Sequence, residues 1–386
     1  MNAPLTHETS HVLPRGLSFS SEENGLPGRL YIAPAGIVAG RAADAAIAAN
    51  QAGPLAGGLL AFSSCSVLLR DALQLFESMA PLPDILDWSQ AEGPEFSRHV
   101  GALLTNLAKA RPTFAGLAMD RPRVMGIVNV TPDSFSDGGR YFDSRSAIAH
   151  ATSLLEAGAD VLDIGGESTR PGAEAIDPDE ENRRIVPVIR AMAERGATIS
   201  VDTRHAAVMG AAVENGAAII NDITALSGDP QSLSVAAKSG AAVVLMHTQG
   251  DPQVMQKDPH YAFAPLDIYD YLAGRLDSCR AAGIADERLC VDPGIGFGKT
   301  VDHNLQIMSR LGLYQALGVP VLLGVSRKSF IGKLSRGEAA GDRLAGSLAA
   351  ALTGLEQGAQ ILRVHDVAET VQAVAIWQSV RRDGNG

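Results

Sequence analysis

The sequence has little of what marks secreted or membrane proteins. It contains three cysteines, Cys65, Cys279 and Cys290, whose spacing matches no metal site and whose odd number does not suit a set of disulfides. Residues 1–16 lack the apolar stretch of a secretory signal peptide. No apolar run reaches the roughly eighteen residues that a membrane span requires. We therefore expect free thiols and a cytoplasmic location.

Positive charge is also in short supply. Lys and Arg number 32 against 43 Asp and Glu, which gives a formal net charge of −11. Such an acidic chain is a poor non-specific partner for nucleic acid or for an anionic membrane, so we expect neither as a partner. An anionic ligand would need basic side chains that are concentrated at one place.

Nucleotide-binding motifs are missing, although one segment imitates them. Residues 292–300 read Asp-Pro-Gly-Ile-Gly-Phe-Gly-Lys-Thr. A P-loop would need glycine five residues before Gly298, where Pro293 stands, and a GxGxxG motif would need glycine in place of Lys299. The glycines are better suited to backbone that passes close to a flat ligand, with Phe297 as a stacking surface.

What the sequence does contain is a repeated alternation of strands and helices from Val124 onwards. Apolar runs typical of buried parallel strands are followed by amphipathic helical stretches, and a glycine often ends the helix. Eight such units in about 260 residues predict a (β/α)8 TIM barrel, an α/β fold, with an open doubly wound sheet as the alternative. The predicted strands are 124–130, 161–166, 198–203, 218–224, 242–248, 288–294, 321–326 and 361–367, and the clearest helices are 179–195, 205–215, 266–282, 342–357 and 368–382.

The first 120 residues follow a different pattern and predict a small N-terminal α/β region before the barrel. Its predicted strands are Arg29–Ile37 and Leu55–Phe62, and its predicted helices are 66–79 and 95–110. The segment Asp-Arg-Pro-Arg at 120–123 is the expected join. We therefore predict two domains, 1–120 and 121–386, and the sequence assigns no role to the first.

Polar residues collect where the predicted barrel strands end. In a TIM barrel the carboxyl ends of all eight strands meet at one face, and this face carries the active site. One polar residue there could be a buried structural group or a helix cap, but a set from nearly every strand predicts a catalytic site. The set comprises Asn129, Glu167 to Arg170, Asp202 to Arg204, Asn221, Asp222, His247, Asp292, Ser326 to Ser329, Arg363, His365 and Asp366.

The segment 165–173, Gly-Gly-Glu-Ser-Thr-Arg-Pro-Gly-Ala, combines two properties. Its glycines and its Pro-Gly pair predict a turn or a hinge, whereas its Ser-Thr-Arg centre predicts hydrogen bonds to an anion. A purely structural loop needs the first property but not the second. We therefore expect this loop to contact a ligand.

Eight motifs, taken in chain order from about residue 121 onwards, resemble those of the dihydropteroate synthase family. They begin at Asn129 (NVTPDSFSDGG), Asp163 (DIGGESTRPG), Ser200 (SVDT), Asn221 (ND), Leu245 (LMH), Asp292 (DPGIGFG), Ser326 (SRKS) and Arg363 (RVHDV). The resemblance implies an enzyme that joins 6-hydroxymethyl-7,8-dihydropterin pyrophosphate to 4-aminobenzoate, giving 7,8-dihydropteroate and pyrophosphate. It also implies Mg²⁺ as cofactor and a homodimer, and it says nothing about residues 1–120.

The resemblance also implies a role for each site residue. Asp202, Asn221, Asp292 and Lys328 would hold the pterin between the apolar walls Ile223 and Met246. Arg363, His365 and Asn129 would bind pyrophosphate, with Asn129 as the protein ligand of Mg²⁺. Thr169, Arg170, Pro171, Phe297 and Ser329 would form the aminobenzoate pocket, partly through closure of the 165–173 loop together with the loop 131–139. The residues expected to act in catalysis are Asp202, Arg170, Lys328 and Asn129.

Simpler interpretations remain open for some residues and for the whole chain. His247 fits a buried core histidine as well as a site residue, and Asp222 and Arg204 fit structural ion pairs. A barrel that handles methyltetrahydrofolate would share the pterin site but has no need for the Ser-Thr-Arg-Pro-Gly, Ser-Arg-Lys-Ser and Arg-Val-His-Asp motifs. A non-catalytic pterin-binding relative would be expected to lose Asn129, Arg170 or Arg363.

Overall fold

A computed structural model describes residues 6–10, 12–16, 29–71, 74–131, 144–167, 176–250 and 259–383. Two sheets organise this part of the chain. A mixed sheet lies in the N-terminal region, and an eight-stranded parallel sheet follows it. Within the described residues, no helix is both long and apolar enough to cross a membrane.

The N-terminal region is a small sheet flanked by helices, as predicted. Its elements are β1 (Thr6–Ser10), β2 (Arg29–Ala39), α1 (Gly40–Ala48), β3 (Gly53–Pro54), β4 (Leu60–Asp71), β5 (Gln74–Pro81), α2 (Leu82–Ala91) and α3 (Pro94–Ala108). The strand order is β1-β5-β4-β2, with β3 beside β4. The β1–β5 pair is parallel, whereas the β2–β4, β3–β4 and β4–β5 pairs are antiparallel.

One N-terminal prediction was wrong and another was displaced. The expected helix 66–79 is instead the hairpin of β4 and β5, because pairing with β2 over ten residue pairs buries Val67 and Leu68. Long-range pairing of this kind overrides a local helical pattern. The strand expected at Leu55–Phe62 starts only at Leu60. The helix predicted at 95–110 is confirmed as α3.

The second sheet confirms the predicted barrel. Its strands are β6 (Arg123–Asn129), β7 (Val161–Gly165), β8 (Ile199–Asp202), β9 (Ile219–Asp222), β10 (Ala242–Met246), β11 (Leu289–Asp292), β12 (Leu322–Leu323) and β13 (Ile361–Val364). They are parallel and follow the order β11-β10-β9-β8-β7-β6-β13-β12. A bridge between Val291 and Val321 joins the first strand of this order to the last and brings the sheet round on itself.

Helices cover the outside of the barrel, as a parallel sheet requires. They are α4 (Ser144–Glu156), α5 (Pro178–Ala193), α6 (Ala206–Glu214), α7 (Ser232–Ser239), α8 (Ala264–Ala281), α9 (Val301–Ser309), α10 (Ser329–Leu334), α11 (Leu344–Leu355) and α12 (Val367–Asp383). Short 3₁₀ helices lie at 286–288, 311–317 and 340–342. Helix α7 ends at Gly240, whose φ of 75° lies in the left-handed region that glycine adopts without strain.

The amino end of the barrel is closed by apolar side chains. Phe114 and Leu117 exchange two backbone hydrogen bonds of 2.9 Å and form a tight turn there. Phe114 is fully buried and, with Met119, belongs to one apolar cluster with residues from several barrel strands. These strand residues include Met125, Val161, Ile219, Val244, Cys290, Leu322 and Ile361. The polar residues of the site must therefore be reached from the opposite, carboxyl end.

The N-terminal sheet packs against the side of the barrel. Its apolar cluster includes Ala316 from the 3₁₀ helix 311–317. The buried guanidinium of Arg111 donates to the backbone oxygen of Gln315 at 2.8 Å and to its side-chain oxygen at 2.9 Å. Asn106 donates to the oxygen of Ala316 at 3.0 Å. Apolar packing and buried hydrogen bonds together hold the two sheets in one arrangement.

Candidate active site

Neighbouring strands place the predicted polar residues side by side at the carboxyl end of the barrel. Asp202 ends β8 and is opposite Asn221 of β9 in the register, and also opposite Gly165 of β7. Asp292 ends β11 opposite Met246 of β10. Because all strands are parallel, residues far apart in the chain meet at one edge.

Arg363 lies at the centre of this edge and joins two carboxylates. Its Nε donates to Oδ2 of Asp163 at 2.5 Å, and its Nη2 donates to Oδ2 of Asp202 at 2.6 Å. Asn221 Nδ2 donates to the same oxygen of Asp163 at 3.1 Å. The two acids raise the pKa of Arg363 against the effect of burial, so this guanidinium is a fixed positive charge.

Asp163 is a site residue that the motif contained but that sequence reasoning did not single out. Its side chain is fully buried, and its Oδ1 has no hydrogen-bond partner among the described residues. Such a buried acceptor is costly unless water or a ligand donates to it. The available signal was a carboxylate inside the otherwise apolar run Val161–Ile164, where an acid needs a partner.

Burial changes the acidity of Asp202. Loss of water contact raises the pKa of this carboxyl to about 7, although the charge of Arg363 acts in the opposite direction. A group with this pKa exchanges its charge near neutral pH, unlike an exposed aspartate. The charge on Asp202 therefore responds to whatever cation or anion enters the site.

Asp292 and the glycine-rich loop after it form a second part of the site. Its Oδ1 accepts the backbone N–H of Gly294 at 2.7 Å, and burial raises the pKa of this carboxyl. Gly294 has a φ of +68°, and a Cβ there would lie 1.9 Å from the backbone oxygen of His247. Only glycine fits this crossing of two chain segments. Gly294 thus serves a close approach between two backbone segments, while the close approach of these glycines to a flat ligand stays a prediction.

Lys328 and Phe297 face each other beside this loop. The Nζ atom of Lys328 lies 3.9 Å from the centroid of the Phe297 ring, a cation–π contact. Burial, followed by the charge of Arg363, lowers the pKa of Lys328 to about 7. This amine can therefore act as a neutral or a charged donor near neutral pH.

Lys299 was interpreted only as a residue that breaks a nucleotide motif, but it holds the glycine-rich loop in place. Its buried Nζ lies 2.8 Å from the oxygen of Phe297, 3.3 Å from the oxygen of His247 and 3.1 Å from His247 Nδ1. Burial lowers the pKa of Lys299 well below its usual value and that of His247 to about 2. The His247 ring is neutral and packs edge-on against Tyr271, with ring centroids 4.9 Å apart.

His365 lies on the loop after β13, next to Arg363 in space. Its Nδ1 is 3.0 Å from Oγ of Ser326, and its backbone N–H donates to the same oxygen at 3.1 Å. Burial and the neighbouring Arg363 lower the pKa of His365 to about 4, so it is uncharged at neutral pH. It can serve an anion as a neutral donor but not as a cation.

Two of the polar residues are engaged in local structure. Asp222 accepts from the backbone N–H of Thr224 at 2.7 Å and of Leu226 at 2.9 Å, which shapes the turn after β9. Arg204 donates to both carboxylate oxygens of Glu167, at 3.0 and 3.1 Å. An ion pair thus forms at Arg204, whereas Asp222 acts mainly as a cap.

The remaining predicted residues fall into two groups. Asn129 is half-buried at the end of β6, Ile223 and Met246 are buried after β9 and at the end of β10, and Ser329 is exposed as the first residue of α10. Thr169, Arg170 and Pro171 lie outside the described residues, as do residues 132–139 of the other expected loop. Their assignments to the aminobenzoate pocket stay predictions.

The arrangement suits a flat, polar ligand next to an anion. Carboxylates accept paired N–H groups, Asn221 offers both a donor and an acceptor, and Lys328 donates to ring nitrogen or carbonyl. Arg363 supplies positive charge at the same edge. Among the described residues, no group of three or more His, Cys, Asp or Glu side chains could hold a metal ion by itself.

Comparison with known proteins agrees with this geometry. Residues 125–365 match the pterin binding enzyme family. Dihydropteroate synthase of Escherichia coli K12 is 46% identical over 264 residues, covering 68% of this chain and 93% of that protein. The structure of the Xanthomonas albilineans dihydropteroate synthase with 4-aminobenzoic acid is 49% identical, with a TM-score of 0.65, and covers 69% of this chain and 96% of that chain. The same enzyme in complex with 7,8-dihydropteroate gives 47% identity and a TM-score of 0.63, covering 68% and 95%.

Proposed function

The chain belongs to the dihydropteroate synthase family, and from this premise we propose how its own residues carry out the synthase reaction. The enzyme joins 6-hydroxymethyl-7,8-dihydropterin pyrophosphate to 4-aminobenzoate and releases pyrophosphate, a transferase step in folate synthesis. The observation that carries the assignment of residues is the cluster of Arg363 with Asp163 and Asp202, flanked by Lys328.

Asp202, Asn221, Asp292 and Lys328 bind the pterin ring in this proposal. The pyrimidine edge of the pterin carries N–H donors that a carboxylate can accept in pairs, while its carbonyl needs a donor such as Lys328. Ile223 and Met246, which are both buried, form apolar walls for the flat ring. The rigid strands beneath these residues keep them in place before the substrate arrives.

Arg363 and His365 bind the pyrophosphate, the first as a cation and the second as a neutral donor. Arg363 is already held by two carboxylates, so its guanidinium needs little reordering to meet the anion. Mg²⁺ fits the proposal through Asn129, since this ion accepts an amide oxygen, uses few protein ligands and keeps its phosphates and waters. Bound there, it would neutralise charge on the leaving group.

The bond changes follow from these positions. The C–O bond between the pterin methylene and pyrophosphate breaks, and its electron pair leaves with the pyrophosphate oxygen. Positive charge then develops on the methylene, and the carboxylate of Asp202 stabilises it. The lone pair of the aminobenzoate nitrogen forms the C–N bond, and the nitrogen loses its proton to solvent. This weakly basic amine needs positioning more than deprotonation.

The aminobenzoate pocket combines described and undescribed residues. Phe297 offers a ring face beside Lys328, and Ser329 offers a hydroxyl at the start of α10. Thr169, Arg170 and Pro171 complete the pocket by resemblance to the family. Ser329 would meet the carboxylate of aminobenzoate, and Arg170 would add an anion contact to the pocket. Arg170→Ala should therefore raise the KM for aminobenzoate; an unchanged KM would contradict this role.

The direct test is synthesis with the purified chain. We would incubate it with dihydropterin pyrophosphate, 4-aminobenzoate and Mg²⁺ and measure dihydropteroate and released pyrophosphate. Product that disappears with a chelator and returns with Mg²⁺ would support both the residue assignment and the metal. Pterin binding without product would favour a non-catalytic pterin-binding protein, and methyl transfer from methyltetrahydrofolate would favour the other barrel.

We also propose a homodimer and a cytoplasmic location. The exposed apolar side chains of Ile376 and Val380 on α12 line a groove of about 460 Å³ together with Leu348 and Leu352 of α11. Exposed apolar surface of this kind is typical of protein contacts. Light scattering of the wild type and of Ile376→Asp would test it, since a charge in the contact should favour the monomer.

A further inference from the structure

A side chain of the N-terminal region contacts the first turn of helix α8. Arg70 of β4 donates from Nη1 to Oδ1 of Asp267 at 2.5 Å, and both side chains are about one-fifth exposed. The other oxygen of Asp267 accepts the backbone N–H groups of Ala262 at 2.7 Å and of Phe263 at 3.2 Å. Arg70 therefore fixes the carboxylate that holds the backbone just before the helix.

A second contact holds the same backbone from the side. The guanidinium carbon of Arg310 lies 5.2 Å from the centroid of the Phe263 ring. Arg310 Nη2 pairs with Glu77 of β5 at 3.1 Å, and the Glu77 carboxylate also meets His7 of β1 at 3.0 Å. Three strands of the N-terminal sheet thus act on the short segment 259–263.

This segment leads directly to the active-site loop. The hydroxyl of Tyr261 donates to the backbone oxygen of Gly298 at 2.8 Å, next to Phe297. Gly298 has a φ of +58°, and a Cβ there would lie 2.6 Å from the oxygen of Gln249. The loop is packed too closely at this point to move without its neighbours.

From this chain of contacts we infer that residues 1–120 serve the barrel as a positioning element, with Arg70 as its central residue. Through Asp267 and Tyr261, Arg70 sets the position of the loop that carries Phe297, and with it the aminobenzoate side of the site. The inference rests on the proposed function, because it assigns aminobenzoate to Phe297.

The effect should be selective between the two substrates. Asp202, Asn221 and Asp292 are placed by strands β8, β9 and β11, which do not depend on segment 259–263. Phe297, by contrast, lies on the loop that Tyr261 holds. Lys328, which is also assigned to the pterin, contacts Phe297 at 3.9 Å, so pterin binding should feel a part of the change. Loosening the contact should therefore weaken aminobenzoate binding more than pterin binding.

Arg29 provides a matched control on the same patch. It pairs with Asp270 of α8 at 2.7 Å, and Tyr31 also donates to both Asp270 oxygens, at 3.0 and 2.9 Å. The backbone N–H groups of Ala262 and Phe263 are held by Asp267 and not by Asp270. Arg70 Nη1 also lies 3.9 Å from the Asp270 carboxylate, but its short contact is the one to Asp267. Arg29→Ala therefore removes an N-terminal arginine from the same helix and leaves the Arg70–Asp267 pair and the path to Gly298 in place.

The experiment is steady-state kinetics of the full chain with each substrate varied in turn. Arg70→Ala and Tyr261→Phe should each raise the KM for 4-aminobenzoate about threefold to tenfold, within the range of coupling through packed contacts, with a clearly smaller change in the KM for the pterin substrate. Arg70→Lys should bring the KM for 4-aminobenzoate part of the way back to the wild-type value. Arg29→Ala should have both KM values of the wild type. The double variant Arg70→Ala/Tyr261→Phe should raise the KM for 4-aminobenzoate by less than the product of the factors for the two single variants.

Other outcomes would overturn the inference. Equal behaviour of Arg70→Ala and Arg29→Ala, equal changes in both KM values, or full additivity in the double variant would each show that Arg70 only stabilises the fold. If Arg70→Ala fails to fold, Tyr261→Phe alone decides by the split between the two KM values. A wild type without product would instead refute the proposed function.

Discussion

The two ends of the barrel are built from the same strands and have opposite character. At the amino end, Phe114 and Met119 fill the opening with apolar side chains. At the carboxyl end, Arg363, Asp163 and Asp202 are held close together, although burying charges is costly. The amino end therefore contributes stability to the fold, whereas the buried charges at the carboxyl end lower the stability in order to hold a reactive arrangement. Each end can be tested by itself.

The largest effect is expected at the apolar end. Phe114→Ala should lower the stability by about 3–5 kcal/mol, because it leaves a cavity where a fully buried ring was. Chemical denaturation measures the loss. Both KM values should match the wild type below the unfolding temperature, and Leu86→Ala, at a position that is 40% exposed, should lower the stability far less. A change in either KM would show that the two ends are not independent.

The next effect belongs to the polar end. Asp202→Asn should reduce kcat about 10²- to 10³-fold, since it removes a charge aimed at the developing cation. The melting temperature should change little, because asparagine still accepts from Arg363.

Asp222→Asn is the matched control for this prediction. Asp222 is buried and caps the turn after β9. Asp222→Asn should therefore lower the melting temperature more than Asp202→Asn does, and it should lower kcat less. Similar kinetics for the two variants would contradict the assignment of Asp202 to the reaction.

A smaller effect on kinetics is expected for Lys299, which holds the glycine-rich loop after β11 against His247. Lys299→Met loses the hydrogen bonds to Phe297 and His247 and should raise the KM for aminobenzoate about tenfold, the value of one or two hydrogen bonds. Lys333→Met, at an exposed lysine of α10, is the control. Equal KM values for the two variants would refute a role for Lys299 in holding the loop.

The smallest effect is a dependence of stability on pH. Burial raises the pKa of Asp202 from 3.8 to about 7, so between these values the folded chain binds more protons than the unfolded chain. The contribution of Asp202 to stability should therefore fall as the pH rises from about 4 to 7. The difference in melting temperature between the wild type and Asp202→Asn should decline as the pH rises over this window. A flat or rising difference would contradict the raised pKa of Asp202.

The barrel could be predicted from the sequence because each of its units is locally complete. An apolar run such as 242–248 reads as a buried strand, and Gly240 before it ends a helix. The hairpin of β4 and β5 was missed because its stability comes from β2, more than twenty residues earlier in the chain. A local sequence pattern does not show whether a distant strand will pair with the segment and stabilise it.

The candidate site was predictable in composition but not in geometry. The motifs contain Asp202, Asp292, Lys328 and Arg363, and parallel strands bring them to one edge. That Arg363 meets Asp163, 200 residues earlier, depends on β13 lying beside β6 and close to β7 after the sheet curves. Lys299 was missed because its role depends on crossing backbone segments, which no local pattern shows.

The closure of the barrel has a consequence for the geometry of the site. Strand β12 has only two residues. In the part of the chain that the structure describes, β11 is joined to it by one bridge, from Val291 to Val321 just before β12, with the N–H of Val291 bonded to the oxygen of Pro320. Asp292 follows one side of this seam and Lys328 follows the other. Val291 and Val321 are fully buried, so apolar packing holds this seam where backbone pairing is sparse. The relative position of Asp292 and Lys328 therefore depends on side-chain packing across the seam, whereas the Asp202–Arg363 pair is supported by a continuous ladder of strands.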